Sequence, residues 1–129
     1  MTIYRCAALA AVLLLAAPKA GRAVTEANFN VRTTGDLVEL CEPGTDSLAT
    51  AAVNFCHGFA QGAISIEMEH QAASRGAKRF CLPTPPPTRN EGLSEFVKWA
   101  RVSPDRMSLR PVDGLIEFLE ERFPCSASR

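Results

Sequence analysis

The chain has 129 residues, 47% hydrophobic and 22% charged, which fits one globular domain and excludes a two-domain enzyme. Fourteen Lys and Arg balance fourteen Asp and Glu with no basic run, so the electrostatic footprint of a nucleic-acid binder is missing. Five cysteines are many for this length, and an odd count leaves one sulfur over if the rest pair.

The first 23 residues read as a secretory signal peptide. Arg5 gives a positive start, Ala7 to Ala17 contains only Ala, Leu and Val, and Pro18, Lys19 and Gly21 break the run. As a helix that run would rise only about 16 Å, too short for a permanent membrane anchor. Gly21 and Ala23 are the small residues of a cut after Ala23, which makes Val24 the expected mature start and removes Cys6. Arg5, Lys19 and Arg22 leave with the signal, so eleven basic residues face fourteen acids in the mature chain, a net charge of −3. Residues 24–129 keep Cys41, Cys56, Cys81 and Cys125, an even set in a chain sent to an oxidising compartment, where two disulfides are expected.

Helical signals follow in order. After an extended lead over 24–32, Thr33 and Asp36 have capping-box spacing, and Leu37, Val38, Leu40 and Cys41 form a short apolar helix behind them. Pro43 and Gly44 stop it, and Asp46 or Ser47 can cap a long second helix ending near Gly76. Its apolar residues cover most of the circumference, which places it in the middle of the fold. Gly58 and Gly62, one turn apart, suggest a close helix-packing contact there. Leu82 to Thr88, with four prolines, is an extended connector. Thr88 with Glu91 opens a third helix with Leu93, Phe96, Val97 and Ala100 on one face, ending near Ser103 and Pro104. Ser108 as cap and Pro111 in the first turn open a fourth, burying Val112, Leu115, Ile116, Leu119 and Phe123 up to Pro124. No strand-like alternation occurs. The expected fold is all-α, a small four-helix up-and-down bundle around a long central helix.

Four cysteines allow three connectivities. The up-and-down path favours Cys41 with Cys56 and Cys81 with Cys125, because pairing Cys56 with Cys81 would need about five residues to retrace roughly 30 Å of helix.

Chemistry is sparse. The cysteines are 15, 25 and 44 positions apart with no C-x-x-C, unlike a zinc site, and no metal or cofactor is expected. Cys56 and His57 are neighbours on a helix and point about 100° apart, so a paired cysteine beside a core-edge histidine is the better reading than a nucleophile and its base. Glu67 and His70 have the E-x-x-H spacing of a di-iron ligand set but no second pair. Phosphate loops, nucleophile elbows and haem motifs are missing, so an enzyme is not expected. Surface remains. Trp99 lies at the edge of the third helix's apolar stripe, where it can anchor a partner or sit half in the core. Asp113, Glu117, Glu120 and Glu121 line the outer side of the fourth helix, ordinarily a solvated face.

Four segments carry a family resemblance: T-G-D-L-V-E-L-C at Thr34 to Cys41, C-H-G-F-A-Q-G at Cys56 to Gly62, F-C-L-P at Phe80 to Pro83, and F-P-C at Phe123 to Cys125. In this combination, over nearly the whole mature chain, the sequence resembles the Rap/Tai family of type VI secretion immunity proteins. The resemblance implies a small, exported, all-helical, disulfide-stabilised protein, periplasmic and often homodimeric. It would bind and sterically block a peptidoglycan amidase effector, with no catalytic residue of its own. The alternative from the same features is a periplasmic helical acid-stress chaperone, which would expose apolar surface at low pH.

Overall fold

A computed structural model describes residues 23–42 and 44–126. Residues 1–22 of the expected leader, Gly21 among them, lie outside the described residues. Five α-helices follow a 3-10 turn at Glu26–Asn30: α1 Thr34–Cys41, α2 Ala49–Ala73, α3 Arg89–Arg101, α4 Pro104–Ser108 and α5 Pro111–Arg122. Among the described residues there is no strand, and the all-α class stands.

Local chemistry sets most helix starts. At α1 the Asp36 amide donates to Thr33 Oγ1 at 3.2 Å and the Thr33 amide donates to Asp36 Oδ2 at 3.1 Å, a reciprocal capping box. The second Asp36 oxygen accepts from Asn28 Nδ2 at 3.2 Å, which ties the 3-10 turn to the same cap. Thr88 and Glu91 repeat the box at α3. The two unexpected elements are the 3-10 turn, in the lead read as extended, and α4, where Ser103 caps and Pro104 occupies the first position. The extra turn moves the start of α5: Arg110, not Ser108, is its N-cap.

The core is built on the shortest of the long-expected helices. Thr34, Leu37, Val38 and Leu40 of α1 are fully buried, and α1 touches the 3-10 turn and all four other helices. Leu93, Phe96, Val97 and Ala100 of α3 and Leu115, Ile116, Phe118 and Leu119 of α5 close over it. Phe118 joins this core, while Val112, expected inside, is 46% exposed. The central position expected for the long helix is corrected: of 25 residues in α2, only Ala52, Cys56, Ala60 and Gln71 are buried. Much of its apolar circumference is Ala and Gly, which have little area to hide, so a narrow stripe against α1 satisfies it.

Among the described glycines, Gly114 of α5 lies tightest against a neighbouring helix: an added Cβ would stand 2.1 Å from Oγ1 of buried Thr34 of α1. Thr34 fastens this crossing twice, its amide donating to the Leu109 carbonyl at 2.8 Å and its hydroxyl to the Arg110 carbonyl at 3.3 Å.

Both expected disulfides are present, Cys41–Cys56 joining α1 to α2 and Cys81–Cys125 joining the connector to the chain after α5. Such bridges stabilise chiefly by restricting the unfolded chain. Around the second, the Cys81 amide donates to the Phe123 carbonyl at 2.8 Å, and buried Gln71 Oε1 accepts from the amides of Arg79 and Phe80. The connector is thereby pinned to both α2 and α5.

Candidate partner-binding surface

Trp99 projects from α3 toward α5 and is half-buried. Its ring stacks on Phe96 at 6.2 Å between centroids and meets Phe118 at 5.9 Å. On the other side the Arg106 guanidinium of α4 lies 4.3 Å from the ring centroid, a cation–π contact. The indole Nε1 donates to Glu121 Oε2 at 2.7 Å, Arg106 Nη2 donates to the same oxygen at 2.9 Å, and Arg106 Nη1 donates to the Trp99 carbonyl at 3.1 Å. Arg106, which the sequence did not single out, and Glu121, one of the acids expected on a solvated face, therefore hold this aromatic in one orientation. Beside it Arg122 donates to Glu95 Oε2 at 2.6 Å. That hydrogen bond holds the Glu95 carboxyl below the ordinary carboxylate range and raises the Arg122 guanidinium. Glu95, Lys98, Trp99, Phe118, Glu121 and Arg122 border a shallow depression here, a fixed aromatic inside a ring of charges.

The acids of α5 are mostly engaged. Asp113 pairs with Arg110, Glu120 with Arg79 and Glu121 with Arg106, so this face is a set of surface ion pairs rather than an unbalanced acidic patch. A further pair joins Arg101 of α3 to Glu42 beyond α1 and raises the Arg101 guanidinium, with Glu39 also in contact.

The expected packing at Gly58 and Gly62 is corrected. Both are exposed, and a Cβ at either would meet nothing within 4 Å. With Ala51, Phe55 at 38% exposure and Ile66 at 71%, they form an uncovered stripe on the outer face of α2. Phe55 leans edge-on against Phe29 of the 3-10 turn at the margin of this stripe.

Cys56 is consumed by its disulfide, which removes it as a partner for His57. His70 is exposed and Glu67 half-buried on α2. Among the described residues, no group of three or more His, Cys, Asp or Glu could hold a metal ion. None of their helices is long and apolar enough to cross a membrane.

The fold and its surface define a small all-α domain clamped by two disulfides. Residues 33–125 match the family model of the Rap1a immunity proteins, and the chain belongs to that family. Its role is that of an immunity protein, one that binds an effector partner. No curated protein and no solved structure matches the chain.

Proposed function

We propose that the protein is a periplasmic immunity protein that binds a type VI secretion peptidoglycan amidase and blocks its cleft sterically. The observation that carries this reading is the family match over 33–125, which spans α1 to Cys125 and takes in all four paired cysteines. The disulfides fit an oxidising compartment, and the Ala7 to Ala17 run supplies the export signal. Trp99 is our candidate anchor for the effector, because a locked aromatic loses little freedom on binding. The uncovered stripe of α2 is the face available to a second copy in a homodimer.

The test is a protection assay with the amidase directed to the periplasm of a heterologous host. The full-length chain should prevent lysis, whereas a version starting at Val24 and retained in the cytoplasm should not. Equal protection by both forms would refute periplasmic action, and failure by the correctly exported protein would refute the amidase as target.

A further inference from the structure

Between α2, the proline connector and the α3–α5 pair lies a cleft of about 270 Å³. α2 packs mainly on α1 and only lightly on α5, and the connector adds Leu82, Pro86 and Pro87 to the cleft lining. Its floor is apolar and buried, formed by Leu93, Leu115, Phe118 and Leu119. Polar groups come only at the mouth, where Arg89, Gln61 and Thr88 are exposed and His57 is half-buried. Among the described residues, no Asp or Glu lines the cleft. Arg89 makes no ion pair among the described residues, unlike the arginines at positions 79, 101, 106, 110 and 122. A closed apolar floor beneath an uncommitted cation is complementary to a chain that is greasy along its length and negative at one end.

We propose that this cleft binds one medium-chain acyl group with an anionic head, the chain lying on the floor and the head at Arg89. The size follows from the volume, since at about 30 Å³ per water-sized group the cleft takes roughly nine such groups, a chain of about eight to ten carbons. A free carboxylate and a single-chain phospholipid share this chemistry. The cleft has only Phe118 in common with the Trp99 depression and does not rest on the effector reading.

Gly92 supplies the decisive variant. It lines the cleft from α3, and a Cβ there meets nothing within 4 Å, so Gly92→Leu places a side chain in the space the ligand would occupy without a clash. Leucine is also the better helix former, so folding should be retained or improved. Calorimetric titration of the mature protein with sodium decanoate, decanol and decanoyl lysophosphatidylglycerol, each below its micelle concentration, is the test. Decanoate should saturate at one site, with affinity rising about fourfold per methylene from hexanoate and levelling off near ten carbons. Gly92→Leu should weaken decanoate and decanol at least tenfold with an unchanged far-UV spectrum. Arg89→Gln should weaken decanoate about tenfold and leave decanol unchanged. Stronger binding of the lysophospholipid than of decanoate would assign the ligand to membrane lipid, and the reverse to free acid. The proposal is overturned if the folded wild type does not saturate with decanoate or the lysophospholipid, or if Gly92→Leu binds as well as wild type. It is also overturned if the wild type is a dimer that Gly92→Leu dissociates, since the cleft would then seat a second copy.

Discussion

Gly114→Ala adds one methyl group at the described glycine with the least room for a side chain. Its Cβ would lie 2.1 Å from Thr34 Oγ1, 3.0 Å from Cγ2 and 3.1 Å from Cβ, against ordinary contact beyond 3.4 Å. Thr34 is fully buried, so α1 and α5 must separate by roughly an ångström or the threonine must rotate. Rotation alone leaves Cβ too close and breaks the hydroxyl's bond to the Arg110 carbonyl, a loss of about 1 kcal/mol. Overpacking of this kind costs about 1–3 kcal/mol. The gain in helix propensity from Gly to Ala returns up to about 1 kcal/mol. The net expectation is a destabilisation of about 1–3 kcal/mol, read from urea unfolding at 25 °C with an unchanged slope. In a domain of this size the thermal midpoint should fall by roughly 10 °C. Thr34→Ala in the same chain removes Oγ1 and Cγ2 and should recover part of the loss, giving a coupling energy of at least about 0.5 kcal/mol. A midpoint for Gly114→Ala equal to or above wild type, or strict additivity with Thr34→Ala, would refute the α1–α5 crossing described here.

Other perturbations test different parts of the structure. Cys125→Ala opens a 44-residue loop and should cost about 4 kcal/mol, and Cys56→Ala, opening one of 15 residues, about 3 kcal/mol, both by urea denaturation; two unchanged midpoints would contradict the pairing. Trp99→Phe keeps an aromatic on Phe96 and Phe118 but loses the bond to Glu121, so it should hold stability to within about 1 kcal/mol while weakening effector binding by about 2 kcal/mol or more. Parallel losses of folding and binding would assign Trp99 to the core alone. Gly62→Leu should leave the fold intact, since no described residue lies within 4 Å of its Cβ position, and should shift a dimer toward monomer in sedimentation equilibrium; an unmoved dimer would exclude the α2 face. The Glu91 carboxyl is held below the ordinary range first by the Thr88 hydroxyl, and that of Glu95 by Arg122. Because their folded values are depressed, their contribution is present at neutral pH and is lost as pH falls through those values. Carboxyl NMR titration should place both midpoints below those of unstructured glutamate, and ordinary midpoints would contradict the cap and the pair.

Helix starts written in local chemistry were legible in the sequence, and contacts made at a distance were not. Thr33 with Asp36 and Thr88 with Glu91 announce their helices because both partners sit within four residues. The Ser103–Pro104 pair carried two meanings, a stop for one helix and a cap with a first-turn proline for the next, and only the first was read. The glycines make the sharper case. Gly58 and Gly62 have the spacing of a packing seam but face outward, while Gly114, unremarkable in sequence, takes the close approach. A missing side chain creates room for a neighbour, and only the tertiary path supplies one. Likewise α2 looked central by its apolar periodicity, yet α1, a third its length, lies at the centre because it carries Leu37, Val38 and Leu40. The candidate surface was half legible. Trp99 stood out as an amphipathic aromatic at a stripe edge, whereas Arg106 and Glu121 lie 7 and 22 positions away with no local signal linking them to it. The disulfide pairing followed from chain length, because a short connector cannot retrace a long helix.

Steric, stoichiometric inhibition is tested most directly by titrating the mature protein, residues 24–129, into a fixed concentration of the peptidoglycan amidase effector from the same genome and following release of cleaved peptide. The account predicts that activity falls linearly and reaches zero at one immunity chain per amidase, with both proteins recovered chemically unchanged. Full amidase activity at a tenfold excess of correctly disulfide-bonded protein would contradict it, as would inhibition by a catalytic amount that leaves the amidase cleaved or modified.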